Sequence, residues 1–141
     1  MMCPDSMMIR GLEHIGVAVK SIDDTLKFLK ETLGAEELAR HEYPELQEIS
    51  STVHLSGTYF ELIEPTGPKS VIGKFIEGSG EGFHHISILC KDLETFVGEL
   101  EEKGIKIVGK VFEGPYRLAF IHPKSAHGLL IELTDKGLPK D

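Results

Sequence analysis

An internal repeat is the feature that most constrains how this chain can fold. Residues 14–20, HIGVAVK, resemble residues 85–91, HISILCK, at an offset of 71 positions. The pairs Glu61-Leu62 and Glu132-Leu133 match at the same offset. Self-similarity at one fixed offset indicates that a single structural unit is built twice.

Each copy predicts a strand, a helix and three further strands, in the order βαβββ. Apolar residues recur with the helical period in Ile22–Leu33 and Leu93–Lys103, and a glycine follows each segment, Gly34 and Gly104, as helix-ending residues do. The other segments are short and alternate, which is typical of strands. The predicted strands after the helices are Glu36–Glu42, Glu48–Leu55 and Thr58–Glu64 in the first copy, and Ile105–Phe112, Arg117–His122 and Leu129–Thr134 in the second. The predicted fold class is therefore α+β, with two tandem βαβββ modules and a mixed sheet.

The chain of 141 residues is long enough for one domain with a real core. We expect a disordered tail at residues 1–9 and a single domain over residues 10–141. The first module would span residues 10–66 and the second residues 83–135. A linker at residues 67–82 would join them, with a short helix at Val71–Ile76.

Charge and cysteine content exclude several classes of protein. The formal net charge is -8, which argues against a nucleic-acid partner. No apolar stretch is long enough to span a membrane. The two cysteines are Cys3, in the expected tail, and Cys90, in an apolar strand. This placement favours a buried Cys90 without a disulfide framework, in a reducing, cytoplasmic compartment.

Two histidines and two glutamates stand at repeat-related positions in apolar strands: His14 and His85, and Glu61 and Glu132. Burial of a carboxylate without a partner is costly, and a bound cation removes that cost for both glutamates. Two imidazoles with two carboxylates suit a divalent transition metal with open coordination positions. They do not suit a closed, thiolate-based zinc site.

Longer motifs give the sequence a family resemblance. It resembles the vicinal oxygen chelate superfamily, which includes glyoxalases and dioxygenases, and within it the methylmalonyl-CoA epimerase branch. The motifs are LEHIGVAV at 12–19, FELIEP at 60–65, GEGFHHI at 80–86, AFIHPKS at 119–125 and GLLIEL at 128–133. They extend from about Leu12 to Thr134.

This resemblance implies a fold, a site and an activity. The two modules would form one cupped mixed sheet around a metal site, with His14, Glu61, His85 and Glu132 as ligands of one divalent metal, either Co, Mn, Ni, Zn or Fe. Glu132 would also be the catalytic base. The implied reaction is epimerisation of methylmalonyl-CoA, in which the α-proton moves through a metal-stabilised enolate. An acyl-CoA substrate and a homodimer are the implied partners.

Alternatives remain open at this stage. A glyoxalase-type lyase or isomerase, similar to lactoylglutathione lyase, would use the same chemistry on another carbon skeleton, and a non-catalytic binding protein would use only the fold. The segment Phe112–Arg117 replaces a glycine-rich loop of the epimerases, so it bears on substrate identity. Arg117 would either pair with a substrate carboxylate or be exposed to water. The second acid or base is Glu48 or another residue, since an ungapped alignment places Ser50 at that position.

Overall fold

The computed structural model describes residues 8–141. Within them the chain forms eight strands and three α-helices, so the α+β prediction is confirmed. The helices are α1 at Ile22–Leu33, α2 at Val71–Ser79 and α3 at Leu93–Glu102. The strands are β1 at Ile9–Ala18, β2 at Glu36–Tyr43, β3 at Glu48–Leu55, β4 at Thr58–Pro65, β5 at Gly82–Cys90, β6 at Ile107–Val111, β7 at Leu118–Ile121 and β8 at Ile131–Thr134.

Helix α1 begins and ends as predicted, whereas α3 begins at the predicted Leu93 and ends one residue early, at Glu102. The side chains of Ser21 and Asp92 cap α1 and α3 by accepting the backbone N–H groups of Asp24 and Thr95. Gly34 closes α1 in the left-handed conformation, at φ 73°, where a glycine carries no steric penalty.

Several predicted element ends were wrong by a few residues. The N–H of Ile105 bonds to the carbonyl of Leu100 at the end of α3, so β6 begins only at Ile107. The N–H of Leu129 bonds to the carbonyl of Ala126 in a turn, so β8 begins at Ile131. Leu33, the last apolar residue of the helical period in α1, is 53% exposed.

The predicted tail at residues 1–9 lies mostly outside the described residues. Of its two described members, Ile9 begins β1 and Met8 is buried in an apolar cluster with Leu93 and Phe96. Met8 and Ile9 therefore belong to ordered structure.

The described chain divides into two units. The N-unit contains residues 14–84 and 138–141, and the C-unit contains residues 8–13 and 85–137. The boundary falls inside β1 and inside β5. Each unit therefore includes a short piece of chain from the far end of the sequence.

In the N-unit the strand order is β2-β3-β4-β1. Strands β1 and β4 are parallel, while β3 is antiparallel to both β2 and β4. Helix α1 packs Ile22 and Leu26 against Val53 and Leu62 of the sheet. The C-terminal residues join this unit through Lys140, whose ammonium lies 4.4 Å from the centroid of the Tyr59 ring, within range of a cation–π contact.

In the C-unit, residues 9–13 of β1 are followed in the strand order by β5-β8-β7-β6. Strands β5 and β8 are parallel, and β7 is antiparallel to β6 and β8. The apolar face of α3, predicted from its period, is buried together with Cys90. Burial raises the pKa of the Cys90 thiol to about 11, as expected for an unreactive apolar side chain.

Candidate metal centre

The N-unit brings His14 and Glu61 together. Gly16 of β1 lies opposite Glu61 of β4, and His14 is two residues before Gly16, on the same face of the strand. His14 Nε2 lies 3.3 Å from Glu61 Oε1. The His14 side chain is 2% exposed and that of Glu61 15% exposed, so this pair is largely removed from water.

A third side chain completes this group. The hydroxyl of Ser50, on β3, donates a hydrogen bond of 2.7 Å to Glu61 Oε2. One oxygen of Glu61 therefore faces the imidazole while the other accepts from serine. From the sequence, Ser50 is only the residue that aligns with a second base. In the structure it contacts Glu61, a predicted metal ligand.

The C-unit brings His85 and Glu132 together in the repeat-equivalent arrangement. Ser87 of β5 lies opposite Glu132 of β8, and His85 is two residues before Ser87. A ring nitrogen of His85 and a carboxylate oxygen of Glu132 lie within 4.8 Å of each other. Both residues are buried. The ring of Phe120 meets that of His85 edge to face, with centroids 6.2 Å apart.

Glu132 also accepts a serine hydrogen bond. The hydroxyl of Ser87, fully buried, donates to Glu132 Oε2 over 2.5 Å. Charge-assisted O–H···O⁻ bonds are typically this short. The contact between Ser87 and Glu132 depends on the pairing of β5 with β8, which local sequence patterns do not specify.

The chemistry of each pair is that of a cation ligand set. Buried carboxylates next to imidazole nitrogens offer hard oxygen and borderline nitrogen donors, which divalent first-row metals accept. Each pair also has a hydrogen-bond donor behind its carboxylate, as ligating carboxylates usually do. The residues predicted from the repeat therefore fit a metal ion.

Arg117 has a role that neither sequence interpretation anticipated. Its Nε and Nη2 atoms bond to the Asp135 carboxylate at 3.0 to 3.3 Å, and its Nη1 donates to the carbonyl of Phe112. The guanidinium thus ties the loop Phe112–Arg117 to the end of β8, and its pKa is raised chiefly by the hydrogen bond to Asp135. Its donors are directed to the protein itself.

Two other histidines have structural contacts. The ring of His122 accepts the backbone N–H of Lys124 at 3.0 Å and caps the short 3₁₀ helix Pro123–Ser125. His84 packs edge to face on Phe75, with ring centroids 4.9 Å apart.

None of the helices described in residues 8–141 is both long and apolar enough to cross a membrane.

Comparison with known proteins identifies the family. The chain is 33% identical over 128 residues to the uncharacterised protein YqjC of Bacillus subtilis, covering 88% of this chain and 91% of that protein. It is 31% identical over 131 residues to the ethylmalonyl-CoA/methylmalonyl-CoA epimerase of Cereibacter sphaeroides, covering 89% of this chain and 98% of that protein. The crystal structure of methylmalonyl-CoA epimerase from Mycobacterium tuberculosis superposes with a TM-score of 0.85 and 28% identity, covering 99% of this chain and 95% of that one. Residues 13–120 match the model of the glyoxalase/bleomycin resistance protein/dioxygenase superfamily, and the chain belongs to that superfamily.

Proposed function

We propose that this protein is a metal-dependent epimerase that interconverts the 2R and 2S forms of methylmalonyl-CoA. One observation carries the proposal. In a member of this superfamily, two largely buried histidine–glutamate pairs occupy repeat-equivalent positions, each with a serine behind its carboxylate. Two epimerases, 31% and 32% identical and matched over 98% and 72% of their own lengths, support the choice of an acyl-CoA substrate.

The metal would be held by all four residues, His14, Glu61, His85 and Glu132. We propose one divalent transition metal per chain, drawn from Co, Mn, Ni, Zn and Fe. Two neutral imidazoles and two carboxylates balance its charge and leave coordination positions for substrate oxygens. When bound, the cation supplies Lewis acidity at the thioester oxygen, where negative charge develops as the α-proton leaves.

Proton transfer is the task of the chain's own carboxylates. The α-carbon of methylmalonyl-CoA lies between a thioester and a carboxylate, so its proton is acidic enough for a carboxylate base within hydrogen-bond reach. Glu132 is proposed as that base. Inversion requires a second acid on the other face of the carbon, and Glu48 is the candidate because it lies two residues from Ser50 on the same face of β3.

Location and assembly complete the proposal. A cytoplasmic enzyme is consistent with the sequence-based expectation for its cysteines. A homodimer is proposed from the same resemblance that suggested the activity.

The deciding experiment is deuterium wash-in. The purified protein is stripped with chelator, reloaded with each of the five metals, and incubated with methylmalonyl-CoA in D₂O. We expect metal-dependent incorporation of one deuterium at the α-carbon, and loss of this incorporation after chelation. Mass spectrometry or proton NMR measures the deuterium content of the substrate.

Two parallel assays make the result decisive. The hemithioacetal of methylglyoxal and glutathione tests the glyoxalase-type alternative with the same metal-loaded protein. Turnover of the hemithioacetal without α-proton exchange in methylmalonyl-CoA would replace the epimerase proposal with that alternative. Absence of metal binding would remove both.

A further inference from the structure

Each of the two glutamates proposed as ligands has one oxygen held by a serine. Ser50 Oγ donates to Glu61 Oε2 over 2.7 Å, and Ser87 Oγ donates to Glu132 Oε2 over 2.5 Å. In both cases the serine bonds to Oε2 and not to Oε1. For Glu61, Oε1 is the oxygen that faces His14 Nε2 at 3.3 Å.

The two serines do not correspond to each other in the repeat. Ser87 lies opposite Glu132 on the parallel neighbour β5, and the equivalent position in the N-unit is Gly16, which has no hydroxyl. There the hydroxyl comes from Ser50 on the antiparallel neighbour β3, on the other side of β4. The same contact is therefore made from two different strands, which indicates a requirement of the glutamates and not a remnant of the repeat.

Burial keeps water from substituting for these hydroxyls. Ser87 is fully buried and Ser50 is 7% exposed. A buried carboxylate that loses such a donor is left with an unsatisfied oxygen, a cost that is larger for the buried Glu132 than for Glu61, which is 15% exposed. The serine contacts thus fix the rotation of each carboxylate about its last side-chain bond.

We infer that Ser50 and Ser87 are positioning residues that hold Glu61 and Glu132 so that each presents one oxygen to the metal. This inference rests on the proposed function, since it concerns the ligands of the same site. With Oε2 committed to serine, each glutamate ligates through Oε1 alone, which keeps coordination positions open for two substrate oxygens.

The test is metal affinity in Ser50→Ala, Ser87→Ala and the double variant, with Co²⁺ and Mn²⁺ as probes. We expect each single variant to weaken binding about 10-fold or more, the usual effect of removing a hydrogen-bond partner from a metal ligand. The visible spectrum of the Co²⁺ protein should also change, because a freed carboxylate can ligate through both oxygens. Ser50→Thr retains the hydroxyl and should restore both properties.

Ser51→Ala is the matched control. Ser51 is fully buried on the same strand as Ser50, and its hydroxyl donates to a carboxylate over 2.6 Å, but that carboxylate belongs to Glu37. This variant should lower the Tm of the metal-free protein while leaving metal affinity and the Co²⁺ spectrum unchanged.

The outcomes separate the inference from the proposed function. Wild-type affinity and spectrum in both Ser50→Ala and Ser87→Ala would overturn the inference and leave the epimerase proposal intact. An equal loss of affinity in Ser51→Ala would also overturn it, because general destabilisation would then explain the effect. If Ser87→Ala fails to fold, the Ser50 variants decide the question. A wild-type protein that binds neither cation would overturn the proposed function itself.

Discussion

The N-unit and the C-unit share a repeat but have diverged in how they support it. In each unit the carboxylate three residues after the candidate ligand glutamate accepts the first N–H of the helix: Glu64 accepts from Ile22 at 2.7 Å, and Asp135 accepts from Leu93 at 3.1 Å. Asp135 additionally binds Arg117 in bidentate fashion. Both units therefore retain the histidine–glutamate pair and the contact from strand to helix, while the residues that hold these groups in place differ.

The largest expected effect is on kcat, and it should differ between substitutions of the two proposed ligand glutamates, Glu132 and Glu61. Glu132→Gln should lower kcat about 10²- to 10⁴-fold, because an amide oxygen still ligates but does not accept a proton as a carboxylate does. Glu61→Gln should give the smaller loss, mostly through weaker metal binding. The measurement is α-proton exchange at saturating metal, with bound metal quantified in each variant.

This pair of variants tests whether the two halves are chemically different. Equal losses of kcat at equal metal content would contradict the assignment of Glu132 as the base. They would mean that Glu61 and Glu132 have the same chemical role. The metal site itself would be unaffected by that result.

The next largest effect concerns stability. Asp135→Ala removes both the acceptor of the Leu93 N–H and the partner of Arg117. We therefore expect the free energy of unfolding to fall by about 2–3 kcal/mol. Glu64→Ala removes a helix-terminal acceptor, which is typically worth about 1 kcal/mol. Urea denaturation of both variants measures the difference, and a Glu64→Ala variant that is the less stable of the two would contradict it.

The smallest expected effect is on acid stability. Burial raises the pKa of the Asp135 carboxyl, but hydrogen bonds from Arg117 and from the Leu93 N–H outweigh burial and lower that pKa below its usual value. A carboxyl with a depressed pKa in the folded state contributes stability above its unfolded pKa, about 4, and loses that contribution as the pH falls through the folded value.

The free energy of unfolding should therefore fall more steeply below about pH 4 in the wild type than in Asp135→Asn. Denaturation curves from pH 6 to pH 3 measure the two slopes. Parallel curves would show that Asp135 does not contribute to the acid transition.

Sequence reasoning predicted what depends on local pattern. The helical period gave the bounds of α1, and strand alternation gave those of β3. The offset of 71 residues selected His14, Glu61, His85 and Glu132, because metal-competent side chains in apolar strands are conspicuous when they occur twice. The structure then placed them in two pairs, one in each unit.

What the sequence did not predict depends on long-range pairing. The contact of Ser50 with Glu61 and that of Ser87 with Glu132 require the order and register of strands, which no local pattern specifies. The partner of Arg117 was missed for the same reason, since Asp135 is 18 residues away. From the sequence alone, a serine that donates a hydrogen bond to a metal-ligating glutamate looks the same as a serine that is present only because it is small.

The exchange of chain ends between the units has a consequence for protein synthesis. Residues 8–13 are synthesised before residues 14–84 but belong to the C-unit, and residues 138–141 are synthesised after residues 85–137 but belong to the N-unit. A nascent chain that has extended only through residue 84 therefore contains residues 8–13 without residues 85–137, the rest of the C-unit. The N-unit, in turn, receives residues 138–141 only after residues 85–137 have been synthesised. Neither unit corresponds to a continuous fragment that proteolysis or gene truncation would release intact.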